Sequence, residues 1–519
     1  MSSEIIKRSR IAKHVLHSTL SIAIAKFFFL ISGFFLTPFI LHHIGATQYG
    51  LWALVGSVVA YGSLLDFGIG TILIRYIAEL YALRQQEDAG KLIVTALYLY
   101  SCIAVIVFLL GVAIAPGFPR LFNVPADQVS TATSLVLLMG SGVGISILCT
   151  LTTAILRGLQ RYDINSLLNT IAVGLYVVGA VVVLLMGGDV LQLVVVSIAV
   201  KVFMQIPAIW FIRRLAPELH LVWQGPSKRW MQKILSFGSW LFVLEVSGRV
   251  QTKTDELVIG AFLPVSSITP FAIARRLGEV GQIISDQFIK VLLPLASQLT
   301  AENDLAALRS VYITSTRVTL AILAPIFCIL VLLGKWVLTA WVGTAYAGYA
   351  HLVSILALAI LIDTSAWPAG SILQGLAKPR PLALMSACGA IANLALSILL
   401  VRRLGLTGVA LGTLIPNVMV VFGLVLPYAM RLMSINLTDA CTQIALPAIL
   451  PALPMVLVIY CAKQVIGINS LISLVLVTVI ATFVYGLGYF TFGASHLERQ
   501  TYRNYVLSAT HFAEAWFKR

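Results

Sequence analysis

Hydrophobic residues along this chain come in runs of about 20, broken by short polar or Gly/Pro-rich stretches. Their length and spacing predict about fourteen membrane helices, centred near residues 29, 59, 103, 142, 176, 201, 246, 279, 322, 361, 392, 417, 455 and 482. Two neighbouring helices depart from the apolar pattern. They carry Glu245, Arg249, Lys253, Asp255 and Glu256, then Arg275, Arg276, Glu279, Asp286 and Lys290. At about 100° per helical residue, Glu245, Arg249, Lys253 and Glu256 fall within about 80° of one another. Arg275, Glu279, Gln282, Asp286 and Lys290 share a second stripe of the same width. Charge at membrane depth has to face a bundle interior or a wet cavity, because lipid cannot solvate it. The stripes therefore predict the lining of a transport path. The i, i+4 spacing of Glu245 with Arg249, Arg275 with Glu279, and Asp286 with Lys290 also permits a self-neutralising structural network.

Composition supports this class. Of 519 residues 59% are hydrophobic and only 11% charged, against about 25% charged in an average soluble domain. With a mean hydropathy of +0.97, the fold class is an all-α polytopic membrane protein. The net charge of +15 does not imply nucleic acid, since the basic residues follow alternate loops. If odd-numbered helices run outward, about 22 of the 35 Lys and Arg lie inside and about four outside (Arg120, Lys335, Arg402, Arg403). That bias places both termini in the cytoplasm. Lys7, Arg8, Arg10 and Lys13 precede a first apolar run too long for a signal peptide. The six cysteines lie far apart with no CxxC, which reads as reduced side chains packed among helices.

The chain also repeats itself. Ala154-Ile155-Leu156-Arg157-Gly158-Leu159-Gln160-Arg161 recurs 217 residues later as Ser371-Ile372-Leu373-Gln374-Gly375-Leu376-Ala377-Lys378, and residues 88–92 match 304–308. Six spans per repeat in one orientation predict parallel repeats about an axis along the membrane normal. The domains expected are an N-lobe, 1–220 (helices 1–6), and a C-lobe, 221–440 (helices 7–12), around a central cavity. Residues 441–519 add helices 13 and 14 and a cytoplasmic tail. In that tail Tyr505, Ala509, Phe512 and Trp516 share a face, as in a helix lying on the anionic leaflet or meeting a partner.

Within the first lobe Lys26 and Lys201 stand in apolar spans without a carboxylate on their own helix. Insertion of such a lysine costs about 2.5–3.5 kcal/mol. Either it reaches the cavity or its ammonium snorkels to a headgroup. External loops are short and no P-loop GxxxxGK[ST] is present. His42 and His43, adjacent on one loop, form no acid–base or metal constellation. No catalytic or metal residue is therefore assigned, and the chain reads as a transporter rather than an enzyme.

Certain motifs carry a resemblance. Tyr49-Gly50-Leu51-Trp52, Leu65-Asp66-Phe67-Gly68-Ile69-Gly70, Arg75-Tyr76 and the two repeated turns are similar to the polysaccharide (O-antigen-type) flippase family. That family belongs to the multidrug/oligosaccharidyl-lipid/polysaccharide exporter superfamily. The resemblance implies a two-lobed, fourteen-helix protein of the bacterial cytoplasmic (inner) membrane. It would move an undecaprenyl-pyrophosphate-linked oligosaccharide to the outer leaflet by alternating access. H⁺ or Na⁺ coupling is implied and no cofactor. Membrane lipids and other polysaccharide-assembly membrane proteins are the partners implied, and no nucleic acid.

On this chain the cations to hold such a substrate are Lys26, Arg249, Lys253, Arg275, Arg276 and Lys290. Asp66, Glu245, Glu279 and Asp286 are the carboxylates for coupling, while Gly68 and Arg75 carry the family motif. The even mixture of charge departs from a purely cationic lumen. A lipid II-type or multidrug antiporter of the same superfamily is the alternative, and a membrane glycan polymerase or ligase is the rival from another class.

Overall fold

The computed structural model describes residues 2–66, 68–219, 225–235, 239–465, 467–468, 470–495 and 498–499, with side chains from residue 26 onward except 63, 234–235 and 239–241. The tail residues Tyr505, Ala509, Phe512 and Trp516, motif residue Phe67, and the side chains of Lys7, Arg8, Arg10 and Lys13 lie outside this description. The protein is 89% helical with no strand among the described residues. It is an all-α membrane protein.

Ten helices among the described residues are long and apolar enough to cross a membrane. Two of them, Lys26–Ala82 and Pro379–Leu432, far exceed the length that about 30 Å of hydrocarbon requires. Each is interrupted by a left-handed glycine, Gly45 at φ 75° and Gly405 at φ 57°. Glycine has no Cβ to oppose that conformation. Each run thus divides where the hydrophobic pattern separates two helices. Ser239–Phe262 and Ile268–Ile289, the two charged segments, are helical as expected but too polar to stand among the ten.

The chain forms two compact units. The first comprises Met1–Ile273 and Ser386–Gly412. Its core joins Ile72, Leu73 and Ile77 to Leu92, Ala96 and Tyr100 and to Leu151, Ile155 and Leu156, from three successive helices. Outward-facing side chains such as Val105, Leu109 and Val178 are just as apolar, which suits hydrocarbon as the solvent. Lipid gives helices no hydrophobic reason to associate, so close packing at small residues matters more. A Cβ on Gly158 would lie 2.7 Å from Ile77 Cγ2.

The second unit comprises Ala274–Met385 and Thr413–Arg519. One core gathers Leu308, Tyr312, Ile362, Ile372, Val421 and Ala429. Another packs Met455 and Ile459 with Val477, Ala481 and Tyr485 against Leu333 of the long helix Leu305–Val342. Two short π-helical runs, Val421–Val425 and Cys441–Ala445, each end two residues before a proline, Pro427 and Pro447. Proline offers no N–H and its ring presses on the carbonyl four residues back, so the helix widens locally to fit it.

The repeated octapeptides build the same turn. In the first unit the N–H groups of Leu159, Gln160 and Arg161 donate to the carbonyls of Ile155, Arg157 and Leu156. In the second, Leu376, Ala377 and Lys378 donate to Ile372, Gln374 and Leu373. Gln160 and Ala377 take the left-handed conformation at φ 59° and 55°. This is a helix-ending Schellman pattern with a non-glycine residue at its left-handed position. A second pair of such turns is centred on Arg84 and Asn303, at φ 56° and 55°. They lie 219 residues apart, so the sequence match of Asp88 with Asp304 is three residues out of structural register.

Candidate functional site

The motif residues form one junction in the first unit. Asp66 ends a short 3₁₀ turn, Ser63–Asp66, and its Oδ1 accepts a hydrogen bond from the Tyr100 hydroxyl at 2.7 Å. Tyr100 is fully buried. Gly68 follows at φ 76° as N-cap of Ile69–Ala82, a conformation costly for a residue with a Cβ. Gly70 is buried against Thr150 and Tyr100. Arg75, one and a half turns on, is exposed beside the Tyr76 ring, its Cζ 5.5 Å from the centroid. Upstream, a Cβ on Gly50 would collide with the Val265 carbonyl oxygen, and Thr269 Oγ1 donates to the Ala46 carbonyl at 2.6 Å. The glycines of the motif are thus explained by close approach and by backbone shape.

The stripe on Ser239–Phe262 also belongs to the first unit. Glu245 is exposed, Arg249 and Lys253 are half-buried, and Thr254, Asp255 and Glu256 are buried. Among the described residues Glu245 and Arg249 form no ion pair. Tyr61 Oη lies 2.6 Å from Thr254 Oγ1 and 3.5 Å from the Arg249 carbonyl oxygen. Gln251 Nε2 donates to the Ser386 carbonyl at 3.3 Å, tying this helix to Pro379–Val420. Two adjacent carboxylates removed from solvent need donors, cations or protons close by.

Lys26 is half-buried in its long helix. Lys201 is exposed and donates to Ser146 Oγ at 2.9 Å, and Gln205 accepts from Thr152 Oγ1 at 2.6 Å.

From Ala274 onward the stripe on Ile268–Ile289 belongs to the second unit. Arg275, 9% exposed, donates from Nε to Glu279 Oε1 at 3.1 Å. Lys290 Nζ pairs with Asp286 Oδ2 at 2.6 Å, and Gln287 Nε2 reaches the same oxygen at 3.0 Å. Arg276 is half-buried. Sequence reading missed one member of this group. Asp363, on Ala350–Ser365, accepts from Trp367 Nε1 at 3.1 Å and lies within electrostatic reach of Arg275. It is the lone acidic residue in an apolar run, and the rule that isolates charge at membrane depth finds it as readily as the stripes. Arg275 is therefore paired to a carboxylate on its own helix and within electrostatic reach of one on another. Such a guanidinium can hold a phosphate fork-wise, and carboxylates beside it can compete with that anion or carry protons.

A family profile described as polysaccharide biosynthesis protein matches residues 44–351. The probable low-salt glycan biosynthesis flippase Agl15 of Haloferax volcanii is 21% identical over 263 residues, 51% of this chain and 54% of that protein. The chain therefore spans about half the length of that relative. The uncharacterized membrane protein EpsK of Bacillus subtilis is 20% identical over 396 residues, 74% of this chain and 77% of that protein. Among solved structures, the lipid II flippase MurJ in an inward closed conformation superposes with a TM-score of 0.71 at 16% identity, covering 91% of this chain and 98% of that one. An inward-facing multidrug resistance MATE transporter of the MOP superfamily gives 0.67 at 16% identity, covering 80% and 98%. At such identities the likeness concerns the fold, which is that of the MOP-superfamily transporters. With its profile matched over more than half of its length, the chain belongs to the polysaccharide biosynthesis protein family.

Proposed function

We propose that this protein flips a polyprenyl-pyrophosphate-linked oligosaccharide from the inner to the outer leaflet of a bacterial cytoplasmic membrane. In this reading Lys26–Ala82 and Pro379–Leu432 each cross twice and the two charged helices cross as well, which makes fourteen crossings; an even number leaves both termini on one side, and the Lys and Arg bias of the loops favours the cytoplasm. A sugar–pyrophosphate head cannot cross about 30 Å of hydrocarbon unaided. The polar side chains of the charged helices, in this reading, shelter it while the lipid tail stays in the bilayer, and alternating exposure of those side chains to the two sides carries it across.

The observation that carries this reading is the group around Arg275: a buried guanidinium paired to Glu279 and within electrostatic reach of Asp363. Arg275 and Arg249 bind phosphoryl oxygens in this mechanism, while Lys26, Lys253, Arg276 and Lys290 add positive field. Glu279, Asp286, Glu245 and Asp66, now joined by Asp363, carry the coupling ion, H⁺ or Na⁺.

The fold alone does not separate a glycan flippase from a multidrug antiporter, since both kinds of relative share it. The arginines favour an anionic cargo. Deleting the gene tests this: lipid-linked oligosaccharide should accumulate on the cytoplasmic leaflet. Accumulation on the outer leaflet indicates polymerisation or ligation instead, and lost drug resistance with intact surface glycan indicates the multidrug reading.

A further inference from the structure

The second unit holds a cavity of about 670 Å³ that the transport reading does not use. Arg309, Ser310, Ile313, Thr314, Arg317 and Val318 line it from one face of Leu305–Val342. The size is that of a small-molecule site. Its polar equipment is donor-rich: two guanidinium groups with the Ser310 and Thr314 hydroxyls between them along the helix.

Arg317 is 7% exposed and bound on two sides. Its Nη1 donates at 3.0 Å to the Gln443 carbonyl, which Pro447 has no N–H to serve in the usual i to i−4 bond. Its Nη2 meets Glu498 Oε1 at 2.8 Å, with Glu498 9% exposed. The Nε has no hydrogen-bond partner among the described residues. Arg309 Nη2 is held by Asp439 Oδ2 at 2.7 Å, but this pair is part-exposed.

A buried arginine keeps its charge and must always have an anion. Glu498 supplies it from the chain's last described segment, beyond the final membrane helix. Its second oxygen, Oε2, accepts from Ser495 N at 2.7 Å, and Ser495 Oγ accepts from Glu498 N at 3.3 Å. That reciprocal pattern is a capping box. It keeps one carboxylate oxygen engaged locally even when the other leaves Arg317.

Depth adds a second constraint. Residues 305–317 hold both arginines among hydroxyl residues, whereas 318–342 contain one charge, Lys335. At 1.5 Å per residue the latter stretch spans the roughly 30 Å of hydrocarbon by itself. Arg317 therefore stands at the boundary between the apolar run and its polar start, where phospholipid phosphates reside.

We infer that this cavity is a phosphoryl-anion site for the headgroup of an acidic membrane phospholipid, with Glu498 as the internal anion that the headgroup displaces. Occupancy by lipid would free Glu498 from Arg317 of Leu305–Val342 and so couple that ion pair to membrane composition.

Native mass spectrometry of the full chain, purified in a neutral detergent and titrated with phosphatidylglycerol or phosphatidylcholine, tests this. Phosphatidylglycerol should bind in preference. Glu498→Gln, which removes the competitor, should tighten its binding about tenfold, and Arg309→Gln should weaken it about tenfold, the worth of one charged hydrogen bond. Arg120→Gln, the same charge loss at an exposed residue elsewhere, is the control and should change little. Arg309 is preferred to Arg317 because its pair is part-exposed, so its loss should cost the fold little. Inorganic phosphate that competes the lipid away supports a phosphoryl site filled by a soluble anion; failure to compete assigns it to the lipid. Equal binding of the two lipids, or an Arg309→Gln effect no larger than that of Arg120→Gln with Glu498→Gln silent, overturns the inference.

Discussion

Arg275 donates from Nε to Glu279 Oε1 across 3.1 Å, one turn along Ile268–Ile289, with the arginine nearly buried and the carboxylate more than a third exposed. The open side of Glu279 leaves its charge partly screened, whereas Arg275 depends on its carboxylate neighbours. A membrane helix that keeps this pair gives up apolar surface for it, which is a functional expectation for charge at that depth.

Replacing Arg275 should separate folding from transport. Arg275→Gln keeps much of the side chain's length but removes the charge, and surface glycan display should fall to background while the membrane-inserted protein is recovered in comparable amount. Arg275→Lys restores charge without the planar fork and should recover only part of the display. Immunoblotting of membranes beside glycan staining checks both.

The Tyr100–Asp66 contact gives a stability prediction. Tyr100→Phe strips the half-buried Asp66 carboxylate of its hydroxyl donor at 2.7 Å, at a cost of about 1 kcal/mol. Thermal unfolding in detergent should show a lowered midpoint. An unchanged midpoint would mean that Asp66 finds another donor without loss.

The repeated turn makes a paired prediction. A Cβ on Gly158 would lie 2.7 Å from Ile77 Cγ2, and one on Gly375 would lie 2.6 Å from Ala296 Cβ. Gly158→Ala and Gly375→Ala should each destabilise by about 1–3 kcal/mol through overpacking. Gly174→Ala, with nothing within 4 Å of the new Cβ, should be neutral or stabilising by up to about 1 kcal/mol. Unfolding midpoints of the three variants under one set of conditions decide the matter.

Backbone shape at the motif is separately testable. Gly68 sits at φ 76°, where alanine costs about 1–2 kcal/mol and asparagine less. Gly68→Ala should lower the unfolding midpoint and Gly68→Asn should restore part of it. Equal effects of the two would point to side-chain crowding instead.

Much of this was legible in the chain itself. Runs of apolar residues near 20 long located the helices, and Gly45 and Gly405 broke the two longest ones where the hydrophobic pattern changed. The octapeptide repeat marked two corresponding turns, and the structure adds that they share the same hydrogen bonds. The pairs Arg275–Glu279 and Asp286–Lys290 followed from i, i+4 spacing, whereas Glu245 is exposed and does not pair with Arg249, because spacing permits a pair without requiring one. Contacts between distant helices were not legible. Tyr61 with Thr254, Tyr100 with Asp66, and Arg317 with Glu498 join residues 34 to 193 positions apart, and nothing in helical periodicity says which helices become neighbours. The Arg317 pairing carried an added obstacle, since Pro447 and its π-helical turn create the carbonyl that the arginine serves.

The most direct test of a hydrated path along the charged helices is cysteine accessibility. In a variant lacking the six native cysteines, single cysteines at Arg249, Lys253, Arg276 and Glu279 are treated in membranes with a charged thiol reagent. Val178→Cys and Leu399→Cys, at outward-facing apolar positions, serve as lipid-facing controls. The four charged-helix positions should label readily and be protected by lipid-linked oligosaccharide, while the controls stay unlabelled. Labelling of the four no faster than at Val178 and Leu399 would contradict the path.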